Sequence, residues 1–192
     1  MIRFVDLKQQ DKIHKKKILN SIKKILNRTD YINGHDVTKF EETFNKKYNF
    51  KYSSLVSSGT DALYLSLKTL AKKFKSGEII TTPFTFFATS EIIINAGFTP
   101  VFADIDKETY NILPKSISEK INKRTIGIIP VHIFGYPCDM QNIIKIAKLN
   151  KLFVIEDCAQ ATGASINNKF VGSFGDINAF SFYPTKNLGA YG

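Results

Sequence analysis

Lys186 closes the run Phe180-Ser181-Phe182-Tyr183-Pro184-Thr185-Lys186-Asn187, where an apolar strand passes into a turn bearing a hydroxyl and an amine. A lysine beside an aromatic strand end serves as a nucleophile and a base when a carboxylate and an anion cradle share its site. Val154-Ile155-Glu156-Asp157 ends a second apolar run with two carboxylates, followed by Cys158-Ala159-Gln160. Buried carboxylates need partners. Strand alternation sends the two to opposite sides. One is then structural, and the other is open to a cationic ring nitrogen or a metal ion. No histidine or second acidic cluster stands at ligand spacing, so the sequence predicts no metal site.

Ser57-Ser58-Gly59-Thr60-Asp61-Ala62-Leu63 has the form strand, tight turn, helix start, with Thr60 or Asp61 opening the helix. Free N–H groups at such a start suit a phosphate. Many α/β turns share the pattern, so it also fits an ordinary connection. In Pro83-Phe84-Thr85-Phe86-Phe87 an aromatic ring follows a strand. It suits stacking on a flat cofactor or simple core packing. His132 lies just past a strand end and reads as a buried, hydrogen-bonded structural residue. His14 and His35 read as surface or loop positions.

These residues need elements that present them on one side. Apolar runs with strand character lie near 53–57, 78–82, 99–103, 126–131, 152–156 and 178–183. Leu63, Leu67, Leu70, Ala71 and Phe74 share one helical face, as do Met140, Ile143, Ile144 and Ala147, with Asp139 or Cys138 near the cap. Pro114 suits a first helical turn. Earlier helices are predicted near 10–27 and 36–48, the second with Val37, Phe40, Phe44 and Tyr48 along one face. Runs such as Ile126–Val131 are apolar without alternation, as in strands covered on both faces. Strands alternating with helices predict an α/β fold with a mainly parallel sheet. Ligands of such sheets bind at the carboxyl ends of the strands, where the residues named above all lie.

The bulk properties narrow the function classes. The 192 residues are 43% apolar, enough for a core. The net charge of +10 is carried almost wholly by lysine, much of it at Lys12, Lys15, Lys16, Lys17, Lys23 and Lys24. No arginine-rich or basic-aromatic pattern supports nucleic-acid binding, so this reads as a solvated helix face. Cys138 and Cys158 make neither a metal spacing nor a disulfide framework. Charges from Arg3 onward and the lack of long apolar runs predict no signal peptide and no membrane span, hence a cytoplasmic protein.

Taken in order, several segments resemble one family. They are Phe4-Val5-Asp6-Leu7-Lys8, Gly34, Phe40-Glu41, Ser58-Gly59-Thr60-Asp61-Ala62-Leu63 and Pro83-Phe84-Thr85-Phe86. Further on come Asp104-Ile105-Asp106, Pro130-Val131-His132-Ile133-Phe134-Gly135, Glu156-Asp157-Cys158-Ala159-Gln160-Ala161 and Ser181-Phe182-Tyr183-Pro184-Thr185-Lys186-Asn187-Leu188-Gly189. The family is the DegT/DnrJ/EryC1/StrS sugar aminotransferases, pyridoxal 5′-phosphate (PLP) enzymes of fold type I. The resemblance implies that Lys186 holds PLP as a Schiff base and shuttles a proton. Asp157 is similar to the partner of the pyridine nitrogen, and Phe86 to the ring stacked on the cofactor. Gln160 stands where the family places a residue near the phenolic oxygen. Gly59, Thr60 and Ser181 resemble the phosphate grip. The implied reaction moves an amino group, usually from glutamate, to a keto-sugar on a nucleoside diphosphate, in amino-sugar or polysaccharide biosynthesis. The implied assembly is a homodimer.

Family members are longer than this chain. Residues 1–192 are therefore expected to be an incomplete PLP-binding large domain, without the small C-terminal domain. A non-catalytic member that at most binds PLP or a full-length partner is the alternative reading. The related sugar dehydratases carry histidine in place of the lysine, and Lys186 argues against them. An unrelated nucleotide-binding module would need a dinucleotide or Walker-type glycine pattern, which the sequence lacks.

Overall fold

The computed structural model describes residues 5–191, with the side chain of Gln10 not described. Arg3, Phe4 and Gly192, which bear on the charge, resemblance and length readings, lie outside the described residues. The chain divides into two units, Met1–Leu55 and Val56–Gly192.

In the first unit, helix α1 (Leu7–Arg28) opens at Asp6, whose carboxylate accepts the Lys8 N–H at 3.2 Å, and stops at Thr29 in the left-handed region. Helix α2 (His35–Tyr48) begins after Gly34, where the Asp30 carboxylate accepts the His35 N–H at 2.8 Å. Its apolar face buries Phe44 and Tyr48, and Phe40 stacks on Phe44 at 5.6 Å between ring centroids. The strand expected at 53–57 does not form. The Leu55 N–H goes to the Glu41 carboxylate at 2.7 Å and the Ser53 hydroxyl to the Glu41 carbonyl, so this stretch bonds a helix instead of a sheet.

The second unit starts with α3 (Gly59–Leu70). Ser58 is its cap, accepting the Asp61 N–H at 3.0 Å, so the helix opens one or two residues earlier than the sequence suggests. There follow β1 (Glu78–Thr81), α4 (Ala88–Asn95), β2 (Thr99–Phe102), α5 (Pro114–Lys120) and β3 (Thr125–Ile128). Next come α6 (Met140–Leu149), capped by Asp139, β4 (Phe153–Asp157), β5 (Ser165–Ile166), β6 (Lys169–Phe170) and β7 (Ile177–Ala179). Pro114 occupies the first turn of α5, as expected. Helix α4 and the β5–β6 hairpin are not anticipated by the sequence reading. Asn167 and Asn168, both at positive φ, make the hairpin turn, a conformation asparagine tolerates well.

The main sheet runs β2-β1-β3-β4-β7 and every pair in it is parallel. Both faces are covered, as the unbroken apolar runs require. Ile79 and Ile155 join Leu63 and Leu67 of α3 and Ile92 and Ile93 of α4. Ile80, Ile128 and Val154 join Ile117 of α5 and Met140 and Ile143 of α6 on the other face. Each such side chain, taken wholly from water, contributes about 1.5–3 kcal/mol. Except for β4, the strands of this sheet are shorter than their apolar runs. Beyond β3 the chain keeps a single bridge, Val131 to Asp157, and β7 stops at Ala179, leaving 180–183 outside any strand. The chain leaves β1 toward β2 on one side and returns as β3 on the other. That reversal opens a crevice at the carboxyl ends of the strands. No helix among the described residues is long and apolar enough to cross a membrane.

Candidate active site

At the end of β4, Glu156 and Asp157 are both buried and differ in every partner. Glu156 accepts the N–H groups of Gly172, Phe174 and Gly175 at 2.7–2.8 Å, and His132 Nε2 lies 3.1 Å from it. Burial pushes this carboxyl up. The bonds from His132, Gly175 and Gly172 outweigh burial and hold it below the ordinary glutamate range. Glu156 is therefore a charged tie between β4 and the 172–175 loop. His132 is equally committed. Its Nδ1 accepts the Cys138 N–H at 3.0 Å, which places the ring proton on Nε2, facing Glu156. The structural reading of His132 holds. Among the described residues, ligand atoms of His132, Glu156 and Cys158 lie within 4.8 Å of one another, but the histidine and carboxylate positions are already spent on these bonds. Burial pushes the Cys138 and Cys158 thiols up, which suits inert core groups.

Asp157 points the other way. Its Oδ1 accepts the Ala159 N–H at 3.1 Å and its Oδ2 the Thr89 hydroxyl at 2.8 Å. Its backbone is stitched to the segment after β3 through Asp157 N–H to Pro130 O and His132 N–H to Asp157 O. Burial raises its carboxyl above the usual aspartate value, opposed by Ala159, Thr89, His132 and Lys186. Lys186 is half-buried, on a turn closed by its own N–H to the Tyr183 carbonyl at 2.8 Å.

The start of α3 meets this region from the side. A Cβ built on Gly59 would lie 2.9 Å from Ser181 Cβ, so only glycine lets the helix start approach the segment after β7 so closely. The Asp61 N–H bonds the Ser58 hydroxyl and the Ala62 N–H bonds the Ser58 carbonyl. Among the described residues the N–H groups of Gly59 and Thr60 have no acceptor, as a first helical turn leaves them. Ser181 is buried, and its oxygen accepts the Tyr183 N–H at 3.3 Å, leaving its proton to donate. Phe86 follows β1 and is 72% exposed. Gln160 gives its Oε1 to the Phe134 N–H at 2.9 Å, and its amide NH2 remains a donor.

The seven residues singled out in the sequence thus share the carboxyl edge of the sheet. Gly59 touches Ser181, and Asp157 senses Lys186. Phe86 follows β1 and Gln160 follows β4, with β3 between the two strands. Thr89 and Thr85 were missed. Thr85 Oγ1 lies 3.2 Å from Thr89 Oγ1, which bonds Asp157 from 68 residues away. The one available signal was a pair of threonines four residues apart on either side of Phe86, and α4 itself was not foreseen.

This arrangement offers unpaired N–H groups and a hydroxyl for a phosphate, a buried acid for a cationic nitrogen, and a lysine amine on the following turn. Known structures assign the class. DesV of S. venezuelae, solved with a ketimine intermediate, superposes with a TM-score of 0.94 at 31% identity, over 100% of this chain and 51% of that one. Bacillus subtilis NtdA, solved with bound cofactor PMP, gives a TM-score of 0.87 at 34% identity, over 93% of this chain and 40% of that one. The fold is that of the PLP-dependent aminotransferases. The chain belongs to the DegT/DnrJ/EryC1/StrS aminotransferase family, whose pattern matches residues 12–192. It is 44% identical over its whole length to the UDP-N-acetyl-3-dehydro-alpha-D-glucosamine 3-aminotransferase of Acidithiobacillus ferrooxidans, covering 52% of that protein. The chain spans about half the length of the curated relatives it matches.

The family's cofactor fits the residues present. The Gly59 and Thr60 N–H groups with the Ser181 hydroxyl are donors without an acceptor, and Asp157 is a buried carboxylate without a salt-bridge partner among the described residues. A phosphorylated, protonated pyridine supplies what both lack.

Proposed function

We propose that residues 1–192 form the N-terminal part of a PLP-binding large domain. The protein transfers an amino group, with glutamate as donor, to a nucleotide-linked keto-sugar in amino-sugar or polysaccharide biosynthesis. It works as a cytoplasmic homodimer. The observation that carries this reading is the buried Asp157 carboxylate, without a salt-bridge partner among the described residues, at the sheet edge where Gly59 meets Ser181.

PLP, when bound, supplies an electron sink that lets an amino group pass between an amino acid and a keto carbon. Lys186 is the covalent anchor, and its Nζ takes a proton from the substrate carbon and returns it. Asp157 keeps a proton on the pyridine nitrogen. The Gly59 and Thr60 N–H groups and the Ser181 hydroxyl hold the phosphate. Phe86 covers one face of the ring, and the Gln160 NH2 donates toward its phenolic oxygen. The lysine-rich surface favours an anionic nucleotide sugar.

Absorption spectra of the full chain with PLP, before and after borohydride, test this assignment. The expected result is a yellow band that borohydride fixes to the peptide carrying Lys186, and no fixation in Lys186→Ala. Trapping on another lysine, or no band from a folded chain, overturns the site.

A further inference from the structure

We propose that Thr89 is a positioning residue for Asp157: its hydroxyl, backed by that of Thr85, holds the carboxylate in a single orientation and favours its charged form. This rests on the assignment of Asp157 to the pyridine nitrogen made above.

The argument begins with proton counting. Thr89 has one hydroxyl proton, and the carboxylate Oδ2 at 2.8 Å can only accept. That proton is therefore committed to Asp157. The contact between Thr85 and Thr89 at 3.2 Å must then run from the Thr85 hydroxyl to the Thr89 oxygen. The result is a directed chain, Thr85 to Thr89 to Asp157. Donors in such a chain polarise one another and strengthen the last bond. Thr89 and Asp157 are both nearly out of contact with water, at 1% and 4% exposure, so no solvent molecule can substitute for the hydroxyl. The other carboxylate oxygen holds the Ala159 N–H. With one donor on each oxygen, the carboxylate plane has no freedom to turn.

The partners come from separate elements. Thr89 stands in the first turn of α4, Thr85 in the turn after β1, and Asp157 at the end of β4. The chain of hydroxyls thus links the acid to the segment that bears Phe86. The other titratable groups coupled to this site are His132, Lys186, Cys138 and Cys158, with Glu156 next in sequence but turned to the opposite face. The hydroxyl donor acts in the same sense as Lys186, favouring the charged carboxylate against burial.

The test is a titration of Asp157 in the full chain without cofactor, followed by carbonyl NMR with 13C-labelled aspartate, in Thr89→Val, Thr89→Ser and Thr85→Val. The Asp157 midpoint should rise in T89V, return toward the native value in T89S, and rise less in T85V. PLP affinity should fall roughly tenfold in T89V and recover in T89S. A T89V midpoint equal to the native one overturns the proposal. A rise shared equally by T89S assigns the effect to packing and overturns it too. Thr85 is only half-buried, so T85V decides the matter if T89V does not fold, and an unmoved midpoint there overturns it. The titration needs no cofactor. A failed Lys186 assignment and a failed Thr89 proposal therefore give different results.

Discussion

Glu156 and Asp157 are neighbours that end in opposite roles because one strand bond separates them. Glu156 receives three backbone N–H groups and the His132 ring, which hold its carboxyl below the usual range. Its folded value lies below its unfolded one. The stability it contributes is therefore fully present above the ordinary glutamate range of about 4.3 and is lost as pH falls through the lowered folded value. Glu156→Gln turns an NH2 group toward donors already in place. We expect a loss of about 3 kcal/mol near neutral pH. Thermal melts should show the gap to the native chain narrowing below pH 4. A gap constant with pH would refute the charged tie. The alternation of strand side chains was legible in the sequence and told that the two acids separate. Which one becomes structural depends on N–H groups at 172–175, and nothing in the local sequence marks those as donors.

At the scale of elements, β3 and β4 fit together because β3 has no side chain at Gly127. A Cβ there would run into the Phe153 ring, its partner across the strand pair. Gly127→Ala should destabilise the chain by about 1–3 kcal/mol through overpacking. Combining it with Phe153→Leu should cost less than the sum of the two single changes, as urea unfolding would show. Additive costs would mean the two residues do not share the space. The helices α3 and α6 were legible because each has a periodic apolar face and a capping residue, and α2 because of its apolar face alone. Helix α4 escaped notice. Its sequence Ala88-Thr89-Ser90-Glu91-Ile92-Ile93-Ile94-Asn95 reads by propensity as easily as a strand, and only packing against α3 and β1 makes it a helix. With α4 unseen, Thr89 could not be placed beside Asp157.

At the scale of the whole molecule, the division into Met1–Leu55 and Val56–Gly192 falls in the stretch the sequence suggested was a strand. Between Asn49 and Gly59 the chain has no helix or strand, and Lys51 and Tyr52 are exposed. Exposed irregular backbone is where proteases cut first. Limited trypsin digestion should nick after Lys51 before any lysine of the sheet unit, as read by mass spectrometry. First cuts within 78–157 would contradict the described fold. By itself, the sequence determined the fold class, the segments that carry the chemistry and the family, because these depend on local periodicity and on motifs a few residues long. It also marked Lys186, Asp157, Gly59 and Ser181, whose types are unusual for their settings. Only the tertiary structure decided that Gly59 lies against Ser181, that Lys186 acts on Asp157, and that Thr89 holds the carboxylate. Those pairs are separated by tens of residues, and their contact is a consequence of parallel strand order and helix packing, which no local pattern encodes.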